Sequence, residues 1–366
     1  GKGRCNLTND CTREAFFASI PGNAPFLYSA YSRMTAQDAM AFFEGLGVPL
    51  KTERGGRVFP QSDRSFDVSA ALERRLGQLG VTWLHDRAMA VLTEDGAVTG
   101  VRGERGRYET GRAIVATGGV SYPGTGSTGD GYRLARMLGH TIEPPQPSLV
   151  PLTSPDPACA AMQGLSLRNV AVRFLGEGDA LLYQDFGELL FTHFGLSGPV
   201  VLSASAYIRP MRPCTLSIDL KPALDEKKLD ERILRDIAAG RNRDMDHILA
   251  GLVHRSMVPV VLERTGIGAS DKANGLTKAQ RRALVALLKD FRIPIDGTRP
   301  IDEAIITAGG VRLSEVWPKT MESKLVKGLY FAGEVLDLDA CTGGFNLQIA
   351  WCTGAAAGEA AALWIG

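Results

Sequence analysis

The chain has 366 residues, 45% hydrophobic and 22% charged, with a formal net charge of +1. Such a composition supports one large core or two to three modest ones, and its near-neutral balance gives no global attraction to nucleic acid or to an anionic membrane. No stretch is long and apolar enough to span a bilayer, and nothing reads as a signal peptide. The six cysteines are scattered without a C-x-x-C pair, which argues for reduced thiols in a cytoplasmic protein and for no metal site.

The first ten residues, GKGRCNLTND, read as a functional loop rather than the start of a fold. TAQDAMAFFEGLGVPL follows as an amphipathic helix ended near Gly45–Gly47, and ERGGRVFP as a turn and a short strand. A second helix carries Val68, Leu72, Leu76 and Leu79 and stops at Gly80. Strand VTWLH comes next, then a hairpin turning at EDG, and then a buried strand from Ala113 to Ala116 that ends in a glycine pair. Helix, strand, hairpin and glycine-terminated strand suit a nucleotide-binding α/β domain.

EPPQPSLVPLTSPDP holds six prolines in fifteen residues and reads as a domain crossing. Beyond it, NVAVRFLGEGDALLYQDFGELLFT and CTLSIDL alternate like antiparallel strands, with turns at Gly176–Gly178 and Gly187. LDERILRDIAA, MDHILAGLVHRSMVPVVLERTG and TKAQRRALVALLKDF are helical in pattern. Between Lys221 and Arg299 sixteen Lys/Arg stand against eleven Asp/Glu, an excess of five that solvated helix faces explain more simply than a binding surface. IDEAIITAGGV resumes the texture of the first domain. The reading is therefore a discontinuous nucleotide-binding domain, 1–143 and 301–366, around a β-rich segment at 144–221 and a helical segment at 222–300.

Three glycine-rich regions can carry chemistry, although each alone also looks like an ordinary turn. In ATGGVSYPGTGSTGDGYRLARMLGH a strand ends at Thr117-Gly118-Gly119, and Thr128 or Asp130 is placed to cap a helix beginning near Gly131. Glycines there let backbone N–H groups approach an anionic or flat ligand. In GLYFAGEVLDLDACTGGFNLQIAWCTGAAAG a strand runs into Gly333-Glu334, and Thr342-Gly343-Gly344 opens a helix. The acid can bond a sugar hydroxyl, and the helix N-terminus can face a carbonyl that gains negative charge on reduction. The opening loop is the third region.

These stretches, with FPQSDRSFDV, PSLVPL, ELLFTHFGLSGP and TAGGV, run in order along the chain. Together they make it similar to the HI0933-like family of bacterial flavoproteins, the BaiN/RdsA and aminoacetone-oxidase-like type. The resemblance implies an α/β, Rossmann-like FAD-binding domain of the two-dinucleotide-binding type, with inserted β-barrel-like and helical regions. It implies that Thr117, Gly118 and Gly119 line the cofactor groove and that Ala88 meets the adenine through its backbone. Gly333 and Glu334 are expected by the pyrophosphate and ribityl chain, and Thr342, Gly343, Gly344, Phe345 and Asn346 at the isoalloxazine. Arg4, Cys5 and Asn6 are expected on the cofactor side of the cleft. Family members begin with a G-x-G-x-x-G strand–turn–helix unit, roughly 30 residues, that this sequence does not contain. An N-terminally truncated chain with an open sheet edge is the expectation.

The resemblance also implies NAD(P)H-driven reduction of an activated C=C bond through FAD, in a bile-acid-like enone or related small molecule. The alternatives are reduction of a uridine in 23S ribosomal RNA to dihydrouridine, aminoacetone-type amine oxidation, and a non-catalytic fragment. Reducing C=C requires an acid to protonate the carbon beside the one that takes hydride. Tyr122, His193 and Cys5 are the candidates, with Tyr122 also readable as a packing residue and His193 as one that orients its loop.

Overall fold

The computed structural model describes residues 3–209 and 212–363. The chain forms two compact units, one of residues 1–148 and 300–366 and one of residues 149–299.

The first unit opens with β1 (Thr8–Asn9), α1 (Arg13–Ala18), α2 (Tyr28–Arg33) and α3 (Ala36–Gly45). α3 starts in a capping box, in which Thr35 and Asp38 exchange side-chain and backbone hydrogen bonds. β2 (Leu50–Glu53) and β3 (Arg57–Pro60) make a hairpin turning at Gly55–Gly56, and β3 also pairs with β1. α4 (Ser65–Gln78) buries Val68 and Ala71 against this small sheet.

The expected strand VTWLH is not formed. Residues 81–87 are irregular, and Val81, Trp83 and Leu84 are 50%, 61% and 55% exposed. An extended segment becomes a strand only beside a hydrogen-bonding neighbour, and none of the described strands runs alongside it. β4 (Ala88–Glu94), β5 (Ala97–Gly103) and β6 (Arg107–Glu109) follow as a meander whose first turn is the expected Asp95–Gly96, both at positive φ. β7 (Ala113–Val115) leads to α5 (Asp130–Met137). Neither Thr128 nor Asp130 caps α5: Gly129 is the N-cap, the Thr128 hydroxyl donates to Asp130, and Arg87 holds that carboxylate. The first half of the proline-rich stretch is itself a strand, β8 (Ile142–Ser148). It tolerates three prolines because it pairs on one side only.

In the second unit, β9 (Leu152–Thr153) and α6 (Pro157–Ala161) precede the long hairpin of β10 (Ser166–Leu175) and β11 (Leu181–Thr192). Gly187 makes no turn. It lies inside β11, where a Cβ would stand 2.9 Å from Val200, so the glycine admits a helix packed against the strand. β12 (Gly195–Ser197), α7 (Pro199–Tyr207) and β13 (Cys214–Asp219) follow. The helical segment contains α8 (Glu226–Ala239), α9 (Met245–Ala250), α10 (Val258–Thr265) and α11 (Lys278–Lys289). MDHILAGLVHRSMVPVVLERTG is split because Pro259 is accommodated only in the first turn of a new helix.

β14 (Phe291–Ile295) and β15 (Gly297–Thr298) complete a sheet of order β14-β13-β10-β11-β12-β9-β15. Its end strands do not pair, so the expected barrel is not closed. Only Asp296 separates them in sequence, however, and one bent segment joins the two ends of a curled sheet. Strands and helices share a single apolar core that includes Phe174, Phe191, Phe291, Leu229 and Leu284.

The chain re-enters the first unit with β16 (Ile306–Val311), antiparallel to β8, and β17 (Leu329–Phe331), parallel to β7. β7 hydrogen-bonds to β17 alone among the described strands, and Ile114 on it is 43% exposed. α12 (Phe345–Leu363) packs Ile349, Cys352, Ala356 and Ala357 into the core with β17 and the Phe16–Tyr31 stack. No helix among the described residues is long and apolar enough to cross a membrane.

Candidate functional site

The opening loop and the start of α12 form one body. Gly343 and Gly344 have φ of +129° and +102°, and a Cβ on Gly344 would collide with the Thr8 carbonyl. Asn9 Nδ2 donates to the Gly343 carbonyl at 2.9 Å and to that of Gly55 at 3.0 Å. Thr8 Oγ1 donates to the fully buried Gln348 at 2.7 Å, and the Trp351 indole donates to the Leu7 carbonyl at 2.9 Å. Residues 7–9 are thus bound to the loop just before α12 and to its first two turns. Cys5 just before them has a left-handed backbone, with φ of 61°.

The second pair of regions is joined at Thr307. Gly118 has φ of +72°, and Gly119 packs so closely that a Cβ there would stand 2.7 Å from Glu334 Oε1. Thr307 Oγ1 accepts from the Val120 and Ser121 amides at 2.9 and 3.0 Å. Glu334 Oε1 accepts from the Thr307 amide at 2.7 Å and from the Ser121 hydroxyl at 3.0 Å. Burial pushes the Glu334 carboxyl above its ordinary range and Asp339 adds to this, against the opposing pull of the Thr307 and Ser121 hydrogen bonds. Gly131 lets α5 approach β7: a Cβ there would stand 2.9 Å from Val335 and 3.2 Å from Val115, and would overlap Thr117. Gly333 ties this group to α12, its amide donating to Thr353 Oγ1 at 3.0 Å.

The remaining residues named from sequence are placed as follows. Arg4 is committed to Glu53 and Asp63 and lies over the Phe59 ring at 4.1 Å, so its charge is already paired. The Ala88 carbonyl accepts from Arg133 at 3.1 Å, with Met89 beside it at 2.7 Å. Phe345 is buried in the core against Phe16, leaving its backbone as the part at the helix N-terminus. The Asn346 side chain folds back onto residue 340, accepting from the Ala340 amide and donating to its carbonyl. Thr342 is half-buried in the loop before α12.

Among the acid candidates, Tyr122 is half-buried with φ of 53°. The Cys5 thiol is half-buried, and burial pushes its pKa up. His193 is exposed in the turn between β11 and β12 of the second unit, its ring edge-on to Phe194. Thr307, Ser121, Asn9 and Gln348 carry much of the geometry, and the sequence reading assigned none of them a role. TAGGV marked the neighbourhood of Thr307, but no spacing rule links residue 307 to 120.

The model of the HI0933-like protein Rossmann domain matches residues 1–360. The chain is 33% identical to the 3-dehydro-bile acid delta(4,6)-reductase of Clostridium scindens, over 99% of this chain and 88% of that protein. It is 30% identical to the ribosomal RNA dihydrouridine synthase of Haemophilus influenzae and 31% identical to that of Escherichia coli, each over 96% of this chain and 85% of the relative. With a family match along nearly its whole length, the chain belongs to the HI0933-like family.

Proposed function

We propose that the chain is an FAD-dependent oxidoreductase that reduces an activated C=C bond, with NAD(P)H as electron donor. The observation that carries this reading is Asn6 Oδ1, which is shut off from solvent and accepts no hydrogen bond. A buried acceptor left unpaired costs about 1–3 kcal/mol, and it stands two residues before the Thr8 carbonyl that packs on Gly344. A flavin brings an N–H and several ribityl hydroxyls, any of which satisfies such an atom. The residues present therefore fit the cofactor.

FAD supplies the hydride carrier that two-electron reduction needs. Asn6 would accept from it, and Gly343 and Gly344 would let the start of α12 come close without a side chain between. The positive end of that helix favours charge developing on a nearby carbonyl. Gly118, Gly119, Gly333 and Glu334, with Thr117, would hold the polar part of the molecule, and the backbone at Ala88 the adenine. Tyr122 holds a proton on its phenol oxygen and supplies it to the carbon beside the one that takes hydride. Cys5 is the alternative donor, its thiol kept protonated by burial.

The substrate is an enone of the 3-oxo bile-acid type, supported by the 33% identity to the delta(4,6)-reductase. The second reading is a uridine of ribosomal RNA, supported by the two synthases and by the basic excess between Lys221 and Arg299. Both are C=C reductions and share the site chemistry. The test is anaerobic spectroscopy of the FAD-loaded protein. NADH or NADPH should bleach the flavin, and a 3-oxo-4,6-diene bile acid should restore its colour. Recovery only with unmodified ribosomal RNA selects the second substrate, and a flavin that neither donor bleaches refutes the electron donor.

A further inference from the structure

We propose that Thr307 is a positioning residue for this reaction and acts through Tyr122, an inference that rests on the flavin-reductase reading above. Thr307 is fully buried on β16, far in sequence from the loop it holds. A hydroxyl has two lone pairs and one hydrogen. Here the oxygen accepts from two consecutive amides, Val120 at 2.9 Å and Ser121 at 3.0 Å. With both lone pairs engaged, the hydroxyl can only donate, and its hydrogen goes to Ser121 Oγ at 3.4 Å, which passes its own on to Glu334 Oε1. Glu334 is held in turn by the Thr307 amide and the Ser121 hydroxyl. The group is closed: each member orients the next.

Its consequence falls on the residue that follows. Two adjacent amides aimed at one oxygen fix two successive peptide planes, which lead straight into Tyr122. Tyr122 has φ of 53°, a conformation that a side-chain-bearing residue keeps only where its surroundings impose it. Gly119 closes the other side, since there is no room between it and the Thr307–Glu334 pair for a Cβ. Thr307 therefore sets the direction in which Tyr122 leaves the loop without being a proton donor itself.

The test uses the full chain loaded with FAD, as wild type, Thr307→Val, Thr307→Ser, Tyr122→Phe and the Thr307→Val/Tyr122→Phe pair. Amide exchange in the peptide covering Val120 and Ser121, measured without substrate, should quicken about tenfold or more in Thr307→Val and return to normal in Thr307→Ser. Anaerobic reoxidation of the NAD(P)H-reduced protein by a 3-oxo-4,6-diene bile acid should slow about 100-fold in Thr307→Val. Its half-saturating concentration should be unchanged, and the rate should recover in Thr307→Ser. Adding Tyr122→Phe to Thr307→Val should slow the reaction no further, because the two act as one unit.

A Thr307→Val protein as fast as wild type overturns the proposal, as do rate losses that simply multiply in the double variant. A slow Thr307→Ser overturns it even if Thr307→Val does not fold. A wild type that is never bleached or reoxidised removes the flavin-reductase reading and this role with it, whereas an active wild type beside an unaffected Thr307→Val removes the role alone.

Discussion

The carbonyl oxygen of Thr8 occupies the space that a side chain on Gly344 would need, although 336 residues separate them. The opening loop and the entry to α12 are thereby locked together, and Asn9 adds a hydrogen bond to the adjoining Gly343 carbonyl. Gly344→Ala would have to shift backbone rather than a flexible side-chain end, and at a φ of +102° it would also be strained. The expected cost is about 2–3 kcal/mol of stability, read from the urea unfolding midpoint, together with loss of FAD retention on gel filtration. An alanine variant with an unchanged midpoint would show that the contact yields easily.

Asn6 offers a test in which stability and binding move in opposite directions. Its Oδ1 is buried without a partner, so Asn6→Leu should leave the FAD-free protein as stable as before or about 1 kcal/mol more stable. The same change should raise the FAD dissociation constant about tenfold, the worth of one hydrogen bond lost from the complex. Paired measurements of unfolding and of flavin titration decide it. Lower stability with unchanged FAD affinity would assign Asn6 a structural role instead.

His140 predicts an acid-sensitive fold. The ring is buried, with Nδ1 3.1 Å from Glu315 and Nε2 2.8 Å from Ser323 Oγ. Ser323 Oγ also accepts from the Leu325 and Val326 amides, so its hydrogen goes to Nε2, which must be bare, and Nδ1–H donates to Glu315. Burial lowers the His140 pKa more than Glu315 raises it. The unfolded chain therefore takes up a proton that the native state refuses, and stability falls as pH drops below about 6.5, with a slope of up to ~1.4 kcal/mol per pH unit until the native ring itself protonates. Urea midpoints at about pH 7.5 and about pH 5.5 should differ, and His140→Phe should flatten the difference. An equal slope in the variant would place the acid sensitivity elsewhere.

The strands and helices with strong local signals are where periodicity and turn chemistry place them. α3 has its Thr35 capping box, α4 stops before Gly80, and the β4–β5 hairpin turns at Asp95–Gly96. The readings that miss do so where a neighbour decides. VTWLH has the pattern of a strand and no described partner, so it stays irregular. Gly187 looks like a turn residue but is there to admit Val200 of α7. The proline-rich stretch holds the expected domain crossing at Ser148–Leu149, yet its prolines give no strand signal and only one-sided pairing with β16 makes β8 of its first half. Arg4, expected on the cofactor side of the cleft, is held by Glu53 and Asp63, partners that its own neighbourhood in the sequence does not announce.

The sequence by itself determined the family and the glycine-bearing stretches on which the cofactor reading depends, because φ-permissive turns and helix starts are written in adjacent residues. Only the tertiary structure decided which of these stretches meet. Thr8 finds Gly344, and Thr307 finds Val120, Ser121 and Glu334, through close approach and hydrogen bonds between segments more than a hundred residues apart or on strands that share no local pattern. A hydroxyl that accepts twice and donates once has no signature in the chain; its role exists only where three other groups converge on it.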